Sequence, residues 1–369
     1  MPRTYELRVD LGATLAEQPL SGHNRWHPGI EALVHIASGD RVVLQMRDAL
    51  DLQFGRHASL ASVATVDLNL VHPLTGPVYV DEAEPGDLLE VRILDLEPDT
   101  YGFSAQIPGF GFLRDHFPDP FLVQWTITDG YATSPQIPGL AIPGAPFPGI
   151  VGLAPSHELL GAIVRRERAD AERGGMVVEP DPAGAVPSDQ RIATEALRTI
   201  APHEVGGNID IKQLTAGSTL FLPVSVPGAL LSAGDGHFAQ GDGEVCGTAI
   251  EMSGTLHLEL HLHKGRAIQR GITTLQFSSD RPTGPPAGPY FATTGLSVSA
   301  AGESRAEDLG LSAENALLAM IEHLGAEYGY SAQQAYAICS VAVDLKVSQV
   351  VDVPNFIVSA VLPLSIFVG

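Results

Sequence analysis

Four ionisable side chains, Asp235, His237, Asp242 and Glu244, fall within the short segment Gly234–Glu244, where glycine rather than bulk separates them. On an extended chain, side chains two residues apart share a face, which pairs Asp235 with His237 and Asp242 with Glu244. Glycines at 234, 236, 241 and 243 permit tight turns and close approach of a ligand to the backbone. Imidazole with carboxylates suits a divalent metal such as Zn²⁺, which makes water nucleophilic near neutral pH. A Gly/Asp hairpin with surface carboxylates accounts for any one of these residues, but less well for all of them together. Just upstream, Gly206-Gly207-Asn208-Ile209-Asp210-Ile211-Lys212 invites a turn and sets Asn208 and Asp210 on one face. Asn208 is suited to orient a carbonyl or amide and Lys212 to pair with a carboxylate; satisfaction of local turn amides is the competing reading. Cys246 follows the acidic run by two residues, so a thiol nucleophile activated by Glu244 or His237 is a rival. Its surroundings read as a buried strand, where cysteine behaves as an apolar filler.

The remaining histidines carry less. His23 and His27 lie in His23-Asn24-Arg25-Trp26-His27-Pro28, and His27 reads as a packed loop residue; His257, His261 and His263 read as the wet face of one strand. No G-x-S-x-G elbow, P-loop or G-x-G-x-x-G before a helix is present.

The elements that must position these groups are mostly strands. Gly (39) and Pro (28) punctuate short apolar runs such as 41–46, 88–94 and 219–222. Residues 255–261 alternate apolar and polar with period two, as a half-solvated strand does. Short strands with Gly/Pro turns imply a sandwich or barrel rather than a doubly wound sheet. Helical spacing is confined mainly to the C-terminal third, from about 312 to 328 and from an N-cap at Ser331 to Val343. Residues 165–200 read as an exposed excursion with one short helix near 192–200. The expected units are a β-rich domain 1–160, an insertion or linker 161–200, a β-rich domain 201–300 carrying the site loop, and an α/β portion 301–369.

The 369 residues, 44% hydrophobic, are ample for a large core. A formal charge of −22 repels phosphate backbones and anionic lipid, so neither nucleic acid nor a membrane surface is the expected partner. Two cysteines build no disulfide scaffold or metal knuckle, and the N-terminus lacks the basic-then-apolar pattern of a secretory signal. The expectation is a cytoplasmic protein.

The run from Gln240 to Glu251 (QGDGEVCGTAIE) resembles the signature of the acetamidase/formamidase family. The resemblance extends over most of the chain: His23–Pro28 (HNRWHP), Asp48 with Gln53, Thr75–Val91, Gly206–Lys212 (GGNIDIK), Gly217–Leu230 and Asp344–Asn355 (DLKVSQVVDVPN). It implies hydrolysis of a small, formamide- or acetamide-like carboxamide to acid and ammonia. It also implies a mainly β fold, with a β-sandwich, a small barrel-like part and a C-terminal α/β portion, assembled as a homodimer or larger homo-oligomer. Bound zinc, with calcium at a second site, is the implied cofactor. Carried over by position, Asp48, Asp235 and His237 become the metal ligands. Glu244, Asp242 and Lys212 become the catalytic set, with Glu244 as preferred acid/base. Asn208, Asp210, His72 and Gln53 become substrate-binding groups, His72 resembling formamidase-type members. A non-catalytic metal- or ligand-binding protein on the same scaffold is the rival from another class.

Overall fold

The computed structural model describes residues 2–280 and 288–368; residues 281–287 of the expected 201–300 unit lie outside the described residues. The fold is mainly β. Central to the first sheet is Gly254–His263, in which Leu256, Leu258 and Leu260 are fully buried while His257, Glu259 and His261 alternate with them. That strand pairs antiparallel with Arg41–Met46 on one side and Leu88–Pro98 on the other, within a six-stranded sheet. The alternation expected from the sequence is therefore the observed one, and its cause is a single apolar face turned to the core.

A second, eleven-stranded sheet carries the site. Its middle runs Gly206–Asn208, Phe147–Gly152, Leu231–His237, Glu251–Met252 and Tyr101–Gln106, each hydrogen-bonded to the next. Apolar side chains of both sheets, among them Leu44, Val91 and Leu256 from the first and Val123, Val151 and Ala233 from the second, belong to one buried cluster, as in a sandwich. No closed barrel forms among the described residues. Strands from the expected 1–160 and 201–300 units share both sheets, so these two stretches build one core between them.

The C-terminal portion is a three-stranded antiparallel sheet of Tyr290–Leu296, Ile357–Pro363 and Asp344–Gln349. Helix Leu309–Tyr328 packs on it, and helix Ala332–Ala342 starts at a Ser331/Gln334 capping box. Met320, Leu324, Ile338 and Cys339 from these helices join the same core cluster. The expected excursion is more ordered than its charge suggested. Ser156 caps a 16-residue helix, His157–Glu172, that buries Leu160 and Ile163 while keeping its arginines outward, and a short helix follows at Gln190–Glu195. No helix is long and apolar enough to cross a membrane among the described residues.

Candidate active site

Every residue of strand Leu231–His237 is buried, and its pairing decides what meets His237. Glu251 lies directly opposite His237 in the antiparallel register with Glu251–Met252. On the other side, strand Phe147–Gly152 pairs with both Leu231–His237 and Gly206–Asn208, which brings Asp210, just past the latter strand, to the same place. Gly149 sits between them: its carbonyl accepts from the amides of Ile209 (3.0 Å) and Asp210 (3.2 Å). A Cβ at Gly149 would stand 2.5 Å from Asp235 Oδ2, 2.7 Å from Asp210 Oδ1 and 2.7 Å from His237 Cε1. Only glycine leaves the three side chains that space.

Glu244 arrives from the loop 240–247, which is fastened to the C-terminal helix. Gly241 N donates to Ser340 O (2.8 Å), Cys246 N to Ser340 Oγ (3.0 Å) and Leu345 N to Asp242 O (3.1 Å). Three of the acids, Asp210 (φ 43°), Asp235 (58°) and Glu244 (46°), hold left-handed backbone, a conformation that non-glycine residues adopt only where the surroundings enforce it.

The result is a buried group of one imidazole and four carboxyls. His237 Nε2 lies 3.2 Å from Asp235 Oδ1 and 3.2 Å from Glu251 Oε2. Asp210, Asp235 and His237 can each aim one ligand atom at a common point, as can His237, Glu244 and Glu251, with the atoms of each trio within 4.8 Å of one another. His237 Nδ1 meets Gln240 Oε1 at 2.9 Å, and Gln240 Nε2 donates to Asp210 O at 2.9 Å. Because the Gln240 amide nitrogen is committed to that carbonyl, its oxygen must accept, and His237 Nδ1 carries a proton. The other ring nitrogen is thereby aimed at the carboxylates. Asp210 Oδ1, His237 Nε2 and Glu251 Oε2 are buried and make no well-directed hydrogen bond, the last two facing each other as an ion pair at 3.2 Å.

The electrostatics follow from packing acids together away from water. Burial first, then the Glu244 and Asp235 charges, raise Asp210 well above the usual carboxylate range. Burial likewise pushes Glu244 and Glu251 up to about 8, against the attraction of His237. For Asp235, burial is outweighed by the charge and hydrogen bond of His237, so its carboxyl is held below the ordinary range. His237 is driven up in turn: burial opposes its charge, and Glu251 and Asp235 overcome it. With no other cation beside them, these groups must share protons to stay buried. A dication among them would replace those protons, and the donor set of imidazole and carboxylates suits zinc. The three buried atoms that lack a well-directed hydrogen bond fit that role.

A cavity of about 370 Å³ opens onto this group, and Asn208, Asp210, Asp235, Glu244, Glu251, His72 and Thr248 line it. Asn208 Nδ2 is taken by Ile200 O (3.1 Å), which leaves its buried Oδ1 unpartnered. His72 is held by Thr199, whose Oγ1 lies 3.2 Å from Nδ1, and burial lowers its basicity, so it faces the cavity neutral.

Several residues expected at the site are employed elsewhere. Asp48 is a turn former: its oxygens accept from Leu50 N (2.9 Å) and Leu52 N (3.1 Å), and the structure does not bring it to the metal-ligating atoms. Gln53 ties two loops, donating to Leu50 O (2.9 Å) and accepting from Asp67 N (2.8 Å), and does not line the cavity. Asp242 does not share a face with Glu244, because the chain turns at Gly243 (φ 110°). Its carboxylate accepts from Gln213 Nε2 (2.9 Å) and stands near Lys346 (3.5 Å) and Lys212 (3.9 Å), while Lys212 bonds Asp344. Asp242 and Lys212 thus join the site loop to the C-terminal sheet rather than lining the cavity. Cys246 lies beneath the cavity wall with Sγ 3.7 Å from Ala105 O, and burial pushes its thiol up, which is the reverse of what a nucleophile needs.

Glu251 and Gln240 are the members of this buried group that side-chain spacing alone missed. A carboxylate in the apolar run Ala249-Ile250-Glu251-Met252 was the available signal for the first. Among the described residues one further ligand-like group exists, His27, His157 and Glu195. There Gly29 N donates to His27 Nδ1 (3.0 Å), so Nε2 keeps the proton it directs at Glu195 (3.5 Å), and the pair of imidazoles does not suit calcium.

Comparison with known proteins decides the family. A sequence profile of the Acetamidase/Formamidase family matches residues 8–368. The chain belongs to the acetamidase/formamidase family. It is 38% identical to an acetamidase of Mycolicibacterium smegmatis, over 89% of this chain and 87% of that protein. It is 36% identical to a formamidase of Methylophilus methylotrophus, over 98% and 93%. Among solved structures, a gamma lactamase from Delftia acidovorans superposes with a TM-score of 0.93 at 36% identity, covering 99% of this chain and 93% of that one. An acetamidase from Bacillus halodurans follows at 0.56 and 27%, covering 93% and 96%. As a member of the acetamidase/formamidase family the protein is an amidase, a hydrolase of carbon–nitrogen bonds other than peptide bonds.

Proposed function

We propose that the cavity hydrolyses carboxamides with water activated at a divalent metal, zinc in the first instance, held by His237, Asp235, Asp210 and Glu251. The observation that carries this reading is the convergence of ligand atoms from Asp210, Asp235 and His237, all within 4.8 Å of one another, beside a cavity that Asp210 and Asp235 line. When bound, such an ion polarises the amide carbonyl and lowers the pKa of water. Asn208 Oδ1 accepts an N–H of the substrate amide and so sets which end of the CO–NH₂ group points at the acids. Glu244, whose carboxyl burial pushes up to about 8, would be held ionised by a cation beside it, and it takes a proton from the attacking water as the water oxygen adds to the carbonyl carbon. It then returns that proton to the nitrogen as the C–N bond breaks, releasing ammonia and the acid. Gln240 keeps His237 in the tautomer whose Nε2 would be free to ligate a metal.

Ammonia release before and after chelation tests this. Activity should vanish with the metal and return on zinc addition, and Glu244→Gln should lower kcat by about two to four orders of magnitude. Full activity in metal-free protein would contradict the reading. We further take the enzyme to be cytoplasmic, which the two unpaired buried cysteines suit. We also take it to be at least dimeric: Val347, Val351 and Val353, all more than half exposed, leave apolar side chains in solvent on the C-terminal portion. Light scattering in solution reports the subunit number.

A further inference from the structure

We propose that the amides this cavity serves carry a large apolar acyl group, the size of an aryl ring or a six-carbon chain, rather than the hydrogen or methyl of formamide or acetamide. The inference rests on the amidase reading and adds the substrate class to it. At about 370 Å³ the cavity falls in the range that encloses ligands of drug size. The reacting CO–NH₂ group needs only the part formed by Asn208, Asp210, Glu244 and Glu251. Most of the remaining wall is apolar, with Leu68, Val71, Ile107, Phe110, Phe112 and Met176 as its chief members.

The origin of these two sets of residues differs. The four polar residues fall in the runs Gly206–Lys212 and Gln240–Glu251, which carry the family resemblance. None of the six apolar residues lies in any such run. The reacting end and the apolar wall are thus built by different segments of the chain. Phe112 is 45% exposed and Met176 52% exposed at the rim, so they leave water only when an acyl group extends to the mouth. An anionic acyl group would meet four acids, and a cationic one would shed its hydration against leucine, valine and phenylalanine. Arg114, the one guanidinium in the lining, is turned toward Gly111 O (3.4 Å).

The test is kcat/KM for ammonia release from formamide, acetamide, butanamide, hexanamide and benzamide, with the enzyme as purified. Each buried methylene is worth up to about fourfold, so hexanamide should exceed acetamide by at least about tenfold, with benzamide comparable to hexanamide. Phe112→Asp and Met176→Asp, both at exposed positions, should each cut the hexanamide-to-acetamide ratio by about five- to tenfold. A flat series, a preference for formamide or acetamide, or a ratio unmoved in both variants would overturn the proposal while leaving the amidase reading intact. Silence across the whole panel would overturn both.

Discussion

Gly149→Ala is the perturbation that most sharply probes how the acids are packed. The added Cβ would sit 2.5 Å from Asp235 Oδ2 and 2.7 Å from Asp210 Oδ1, against an ordinary contact of 3.4 Å or more. At least one carboxylate must therefore retreat by about 0.7–0.9 Å. Asp235 has little room to do so, because it is 3% exposed, holds φ 58° and is engaged by His237 at 3.2 Å. His237 Cε1, 2.7 Å from the same point, blocks the third direction. A displacement near 1 Å in a catalytic constellation costs about 10²-fold in rate, and a methyl forced into a filled core costs about 1–3 kcal/mol of stability. Ammonia-release kinetics, thermal unfolding and metal content of the variant are the assays. kcat should fall by about two orders of magnitude and bound metal should drop, with a lowered Tm but a cooperative transition. Gly149→Ala with kcat within about threefold of wild type and full metal content would refute the placement of Asp210, Asp235 and His237 around this glycine.

Other expectations follow from the same contacts. Gln240→Leu leaves His237 Nδ1 and the Asp210 carbonyl without their partner, which should cost about 1–3 kcal/mol and lower metal affinity about 10–100-fold, measured by unfolding and by metal titration. His23 is wholly buried, its ring between Arg25 O (2.6 Å) and Ser232 Oγ (2.7 Å), and burial lowers its pKa to about 4. Because the folded state refuses a proton that the unfolded chain accepts near 6.5, its contribution is full above that pH and is lost on acidification. Stability should be about 2 kcal/mol lower at pH 5 than at pH 7 from this residue alone, and His23→Gln should flatten that part of the denaturation profile; an unchanged slope would contradict it. Cys246→Ser should retain kcat within a few-fold while lowering Tm, since the thiol fills a buried space; loss of activity with the fold intact would restore the nucleophile.

What the sequence revealed of this site depended on whether a contact was local. The strand Gly254–His263 and the cap at Ser331 are set by neighbouring residues, and pattern alone located both. Asp235, His237 and Glu244 were visible because glycine-rich spacing marks them as unusual. Asp242 was misplaced by the same rule that found them: alternation assumes extended chain, and a turn at Gly243 sends its carboxylate to Lys212 and Lys346. Glu251 reaches the site through antiparallel register with His237, fourteen positions away in sequence, and no local spacing encodes that register. Gly149 was silent for the same reason: it lies inside a strand whose neighbours are distant segments. The helix His157–Glu172 was hidden by its charge, since only Leu160 and Ile163 of its apolar face are buried.

The proposed dication would be held by His237, Asp235, Asp210 and Glu251. Anomalous diffraction at the zinc edge, from crystals of enzyme whose activity has been measured, tests it most directly. A single strong peak is expected within bonding distance, about 2.0–2.2 Å, of His237 Nε2 and the neighbouring carboxylate oxygens. A fully active crystal with no peak there, or with the peak at another cluster such as His27, His157 and Glu195, would contradict it.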